Sequence, residues 1–124
     1  MREEAQVQEE LIEVVLRVVE AIPPGRAATY GMIARAVGTG PRVVGRIMHD
    51  WGGGVPWWRV VSVHGTFPTT VRGEGVAEWR REGIPHDLAA GKLLLDACVV
   101  DQLWLDGVAQ EVRDNLRNGA ELSE

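Results

Sequence analysis

Arg42, Gly45, Arg46 and His49 recur at steps that put all four on one side of a helix. A guanidinium holds phosphate in a planar fork, which an ammonium cannot do. A helix face of arginines around a glycine therefore suits a polyanion whose backbone comes close, although an ordinary solvated face has the same pattern. Just downstream, Trp57 and Trp58 stand between Pro56 and Arg59. Indoles supply flat apolar walls for a planar ligand. The single thiol, Cys98, lies outside any nucleophile motif and reads as a small buried residue. His49, His64 and His86 are isolated and read as surface groups, so no metal site and no cofactor is expected. The run Trp51-Gly52-Gly53-Gly54-Val55-Pro56 lacks the lysine and serine of a phosphate-binding loop.

The elements that must position these residues follow from periodicity. Val7, Leu11, Val14, Val15 and Val18 recur at three- and four-residue steps, which predicts an amphipathic helix over 4–22. Pro23-Pro24-Gly25 ends it. Thr29 is the expected N-cap of a second helix running to Val37. After Gly38-Thr39-Gly40, Pro41 opens a third helix to Asp50, with Val43, Val44, Ile47 and Met48 as its core stripe. Two short helices across a glycine-containing turn make a helix-turn-helix candidate. Residues 59–63 read as a short strand, and alternation would turn one of Trp57 and Trp58 to the core and the other outward. Residues 66–76 read as loop and 75–83 as a further helix, while 88–108 stay open between helix and strand. Trp51 and Trp79 are assigned to packing, and Trp104 to closing the C-terminal part over the core. The expected domain is 1–108, followed by an acidic tail at 109–124 that frays.

The whole chain of 124 residues is one domain's worth, and 45% hydrophobic with 25% charged residues suits a folded protein. One cysteine excludes an internal disulfide framework. No apolar run approaches the roughly 18–20 residues of a membrane span, so no membrane partner is expected. The acidic start lacks the layout of a signal peptide, which gives an intracellular expectation. The net charge of −5 hides a division along the chain. Residues 1–20 and 73–124 are acidic, whereas 21–72 hold six arginines against Asp50 alone. A local basic segment is the relevant footprint for DNA, more than the total charge.

Three pieces in order, Ala28-Thr29-Tyr30-Gly31-Met32-Ile33-Ala34, Arg42-Val43-Val44-Gly45 and Val55-Pro56-Trp57-Trp58-Arg59-Val60-Val61, resemble the DNA-binding domain of O6-alkylguanine-DNA alkyltransferases. The resemblance covers about residues 8–83, with a weaker match near Trp104. In that family a Pro-Cys-His-Arg-Val motif holds the acceptor cysteine. Trp57 here stands at the cysteine position and Trp58 at the histidine position. The chain is thus closest in pattern to the alkyltransferase-like proteins. Alkyl transfer needs an activated thiolate, and an indole supplies neither nucleophile nor base.

The resemblance implies a mainly α, helix-turn-helix or winged-helix-like DNA-binding domain with a short β segment. The alkyltransferases' separate N-terminal domain is expected to be missing, since only a short segment precedes the matched motifs. It implies non-enzymatic recognition of O6-alkylguanine in double-stranded DNA, by minor-groove binding and nucleotide flipping, marking the lesion for nucleotide excision repair proteins. The DNA-contacting set carried over is Thr29, Tyr30, Arg42, Gly45 and Arg46. Tyr30 would crowd the phosphate on the 3′ side of the target, and Arg42 would fill the vacated stack, with Arg46 as its competitor. The implied lesion pocket is Tyr30, Trp57, Trp58, Arg59, Val61 and Ser62, with Arg59 open to bonding the purine or organising the pocket. A monomer is expected, cytoplasmic and nucleoid-associated in a bacterium or nuclear in a eukaryote. The alternatives are a sequence-specific regulator using Arg42, Arg46 and His49 in the major groove, and an active transferase using Cys98.

Overall fold

Valines 14, 15, 18 and 19 are wholly buried, one continuous stripe of helix α1, Arg2–Ala21. The computed structural model describes residues 2–122, with side chains for 8–119 apart from Thr69. Pro23 and Pro24 stop α1, and the chain turns through Gly25 at φ 85° into strand β1, Ala28–Thr29. Thr29 then caps helix α2, Tyr30–Val37: its Oγ1 accepts the Met32 amide at 3.1 Å. Gly38 takes the left-handed conformation at φ 82° and closes α2, donating its amide to Ala34 O. Helix α3, Pro41–Trp51, starts on its proline. Helices α1, α2 and α3 contact one another in all three pairings, around Ile33, Val37, Val44 and Ile47.

Only the middle of the expected 59–63 strand is a strand. Trp57–Arg59 is a turn of 3₁₀ helix, and β2 is Val60–Val61. It pairs in parallel with β1, Ala28 opposite Val60 and Thr29 opposite Val61. Neighbours on this pair face opposite ways. Ala28 and Val60 enter the core of α1–α3, and Ala27 and Val61 enter a second core with Phe67, Trp79, Ile84, Leu93 and Cys98. The pairing of β1 and β2 was not foreseen, because Ala28 and Thr29 are too few to show alternation.

The second core is covered by helix α4, Arg72–Glu82, which begins earlier than the expected 75–83 and takes in part of the segment read as loop. A hairpin of β3, His86–Asp87, and β4, Lys92–Leu93, and a single turn α5, Leu95–Cys98, complete it. Helix α6, Gln102–Leu122, then runs back against α1 and α2. The fraying expected at 109–124 is therefore corrected as far as Leu122, and residues 123–124 lie outside the described residues. Leu105 and Ala109 are fully buried, and Val108, Val112 and Leu116 pack on the first core. The polar composition of this segment is that of an amphipathic helix with one narrow apolar edge. Arg113 donates to the Val37 carbonyl, satisfying the end of α2 where helical acceptors run out. The architecture is mainly α with short β segments, as expected.

Candidate functional site

Tyr30, the first residue of α2, stands across a cleft from the exposed side of α3 and the turn at Trp57. Gly45, Met48 and His49 of α3, with Gly52 and Gly53 beyond it, form one wall. Phe67, Pro68, Thr70, Val71 and Glu74, leading into α4, form the other.

 The cleft between these walls has a volume of ≈ 340 Å³, and a separate groove of ≈ 390 Å³ lies between α1 and α3. The cleft is near the lower end of pockets that hold a small organic group, roughly 300–1,000 Å³.

Trp57 is half-buried at the seam of the two cores and lines the cleft. Its ring meets Phe67 edge-on at 5.5 Å, and Phe67 stacks on buried Trp79 at 4.7 Å. Gly75 makes room for this: a Cβ there would stand 2.0 Å from Phe67 Cε2. Burial pushes the Tyr30 phenol above its ordinary value, so it stays a neutral hydroxyl at the cleft mouth.

Trp58 points elsewhere. Its Nε1 donates to Glu82 Oε2 at 2.8 Å, and it lines none of the cleft. One indole faces the cleft and the other does not, but a 3₁₀ turn separates them, not strand alternation. Arg59 is buried and wholly engaged. Its Nε donates to Glu82 at 3.0 Å, its Nη2 to the same carboxylate at 2.6 Å, and its Nη1 to Ile22 O at 2.7 Å. Of the two roles open to it, the geometry gives it the organising one, and bonding a purine is excluded while these partners hold it. Val61 is fully buried in the second core. Ser62 is tied into the following turn, its hydroxyl 2.8 Å from that of Thr66. Trp58, Arg59, Val61 and Ser62 are therefore corrected as pocket walls, since none of them lines the cleft.

Glu82 was not singled out from sequence, yet it joins this region. Burial would raise its carboxyl, but hydrogen bonds from Arg59, Trp58 and the Gly25 amide, with the Arg59 charge, hold it below its ordinary value. Phe67, Met48 and Glu74 were likewise missed as cleft residues. No local pattern marks them, since they reach one cleft from separate elements.

Arg42 and Arg46 are exposed on α3. They border the groove between α1 and α3, with Leu11, Ile12, Val43 and Trp51. Val43 is 41% and Trp51 59% exposed, so neither packs as expected. Val43 lies at the edge of the apolar stripe, and Trp51 at the end of α3, beyond the reach of the core. Trp104 is 42% exposed, and Leu105 takes the covering role assigned to it. His86 is half-buried in β3, its Nδ1 2.7 Å from Ile84 O. Cys98 is 1% exposed, and burial, opposed by the Arg26 charge, raises its thiol above the ordinary value. Among the described residues, no cluster of His, Cys, Asp or Glu could hold a metal ion.

A helix-turn-helix beside an aromatic cleft is a nucleic-acid-binding arrangement. The family model of the 6-O-methylguanine DNA methyltransferase DNA binding domain matches residues 10–83, and the chain belongs to that family. Within it, the likeness is to the alkyltransferase-like type. The structure of S. pombe Atl1 in complex with damaged DNA containing O6-carboxymethylguanine is 30% identical, with a TM-score of 0.66, over 75% of this chain and 96% of that one. The structure of S. pombe ATL in complex with DNA is 30% identical at a TM-score of 0.65, with the same coverage. A comparison with curated proteins returns no match.

Proposed function

We propose that this chain binds O6-alkylguanine in duplex DNA without removing the alkyl group. The observation that carries this is Trp57, which lines the cleft between Tyr30 and α3 where the family's motif would hold a thiol. The indole offers a stacking wall and no nucleophile. Cys98 lines none of the cleft and is buried with a raised thiol pKa, which opposes transfer through it. The solved complexes of the S. pombe relatives with DNA support a DNA partner.

The target nucleotide flips out of the duplex through the minor groove into the cleft. Unstacking costs a few kcal/mol, less for a damaged and poorly paired base. Arg42, free on the exposed side of α3, fills the vacated stack, and Tyr30 guides the backbone on the 3′ side. The bound complex marks the site for nucleotide excision repair. The chain acts as a monomer in the compartment that holds the DNA.

Titration of matched duplexes carrying guanine or O6-methylguanine at one position, followed by tryptophan fluorescence, tests this. Tighter binding and stronger quenching with the lesion are expected. Equal affinity for both duplexes would overturn lesion recognition.

A further inference from the structure

The charged groups around the cleft are arranged unevenly. Glu74 lines the wall, and the His49 imidazole, also in the wall, has its Nδ1 3.0 Å from the Asp50 carboxylate. The nearby arginines are committed elsewhere. Arg59 is held by Glu82 and Ile22 O, and Arg72 donates to Ala90 O at 2.7 Å. Arg42 and Arg46 line the α1–α3 groove and none of the cleft. Glu74 is also the acidic residue in the first turn of α4, the end of a helix that would otherwise favour an anion. The remaining walls near it, Met48, Trp57, Phe67 and Val71, are apolar.

We infer that the cleft selects guanines with neutral O6-substituents and discriminates against anionic ones, with Glu74 as the specificity-determining residue. This rests on the lesion-binding function proposed above. A carboxylate on the adduct would meet Glu74 with no arginine or lysine among the described residues of the wall to compensate. The S. pombe relative was solved with an O6-carboxymethyl adduct, so the inference sets this chain apart from it. The repulsion acts across a solvent-open cleft, which limits it to about tenfold in affinity at low salt.

The test compares one duplex sequence carrying guanine, O6-methylguanine, O6-propylguanine or O6-carboxymethylguanine. The buffer is held at one pH throughout. Propyl and carboxymethyl adducts are similar in size and differ in charge. The propyl duplex is expected to bind about tenfold tighter than the carboxymethyl one, a gap that narrows as salt rises. Glu74→Gln, an exposed substitution, should close most of the gap by tightening the carboxymethyl duplex more than the methyl or propyl one. Equal binding of the propyl and carboxymethyl duplexes would overturn the inference, and an unchanged gap in Glu74→Gln would overturn the role of Glu74. If no adduct binds better than guanine, lesion recognition itself fails.

Discussion

At Gly45 a Cβ would meet nothing within 4 Å, so no internal packing requires a glycine there. Glycine in a helix costs roughly 1 kcal/mol against alanine. Under the function proposed above, Gly45 is where DNA backbone would come close to α3. Gly45→Leu should therefore melt at or above the parent temperature in calorimetry, while duplex affinity falls at least about tenfold, a loss of about 1.4 kcal/mol. Arg42 belongs to the same exposed side. Arg42→Ala should lose the signal of a fluorescent base analogue placed at the target, with helicity by circular dichroism unchanged. An unchanged flipping signal would pass the role to Arg46, four residues and about one turn along the same side.

At the scale of elements, the Arg59–Glu82 pair holds four pieces together: the end of α1 through Ile22 O, the Gly25 turn, the 3₁₀ turn of Trp57–Arg59, and α4. The Glu82 side chain is 3% and that of Arg59 11% exposed. Breaking such a pair leaves a buried charge alone, at a cost of about 3–5 kcal/mol. Glu82→Ala should lower stability by that amount in urea unfolding and blunt Trp57 quenching by DNA. The pH dependence has a definite sign. The folded carboxyl titrates below its unfolded value of about 4.3, so its contribution is complete above that pH. As pH falls towards the lower folded value, the unfolded chain takes up the proton first and stability declines. Acid unfolding of Glu82→Ala should lack this component.

Over the whole molecule, the acidic N- and C-terminal segments come together as α1 and α6, which pack on each other. The basic middle of the chain keeps α3 and its arginines in solvent. A protein of net charge −5 can therefore present a local basic ridge to a polyanion. Deletion of residues 109–124 would uncover the first core at Val112 and Leu116 and remove the Arg113 bond to α2. A loss on the order of 3–5 kcal/mol is expected from the apolar burial, read as a lower urea midpoint. A frayed tail would give no change.

Much was legible from sequence because it is local. The α1 stripe, the Thr29 cap, the Gly38 stop and the proline start of α3 depend on residues a few positions apart, and each is present. The family motif likewise marked Tyr30 and Trp57, which do share the cleft. The motif's continuity misled at Trp58, Arg59, Val61 and Ser62: adjacency in the chain does not set which way side chains point once a 3₁₀ turn replaces a strand. Phe67 and Glu74 reached the cleft, and Glu82 reached Arg59, only through the packing of α4 across the second core. Sequence alone determined helices α1 to α3, the Thr29 cap and the absence of a thiol at position 57, since these follow from residue type and short-range periodicity. The tertiary structure decided which indole faces the cleft, where each arginine's charge is spent and that the C-terminal helix belongs to the core, because these depend on contacts between residues distant in the chain.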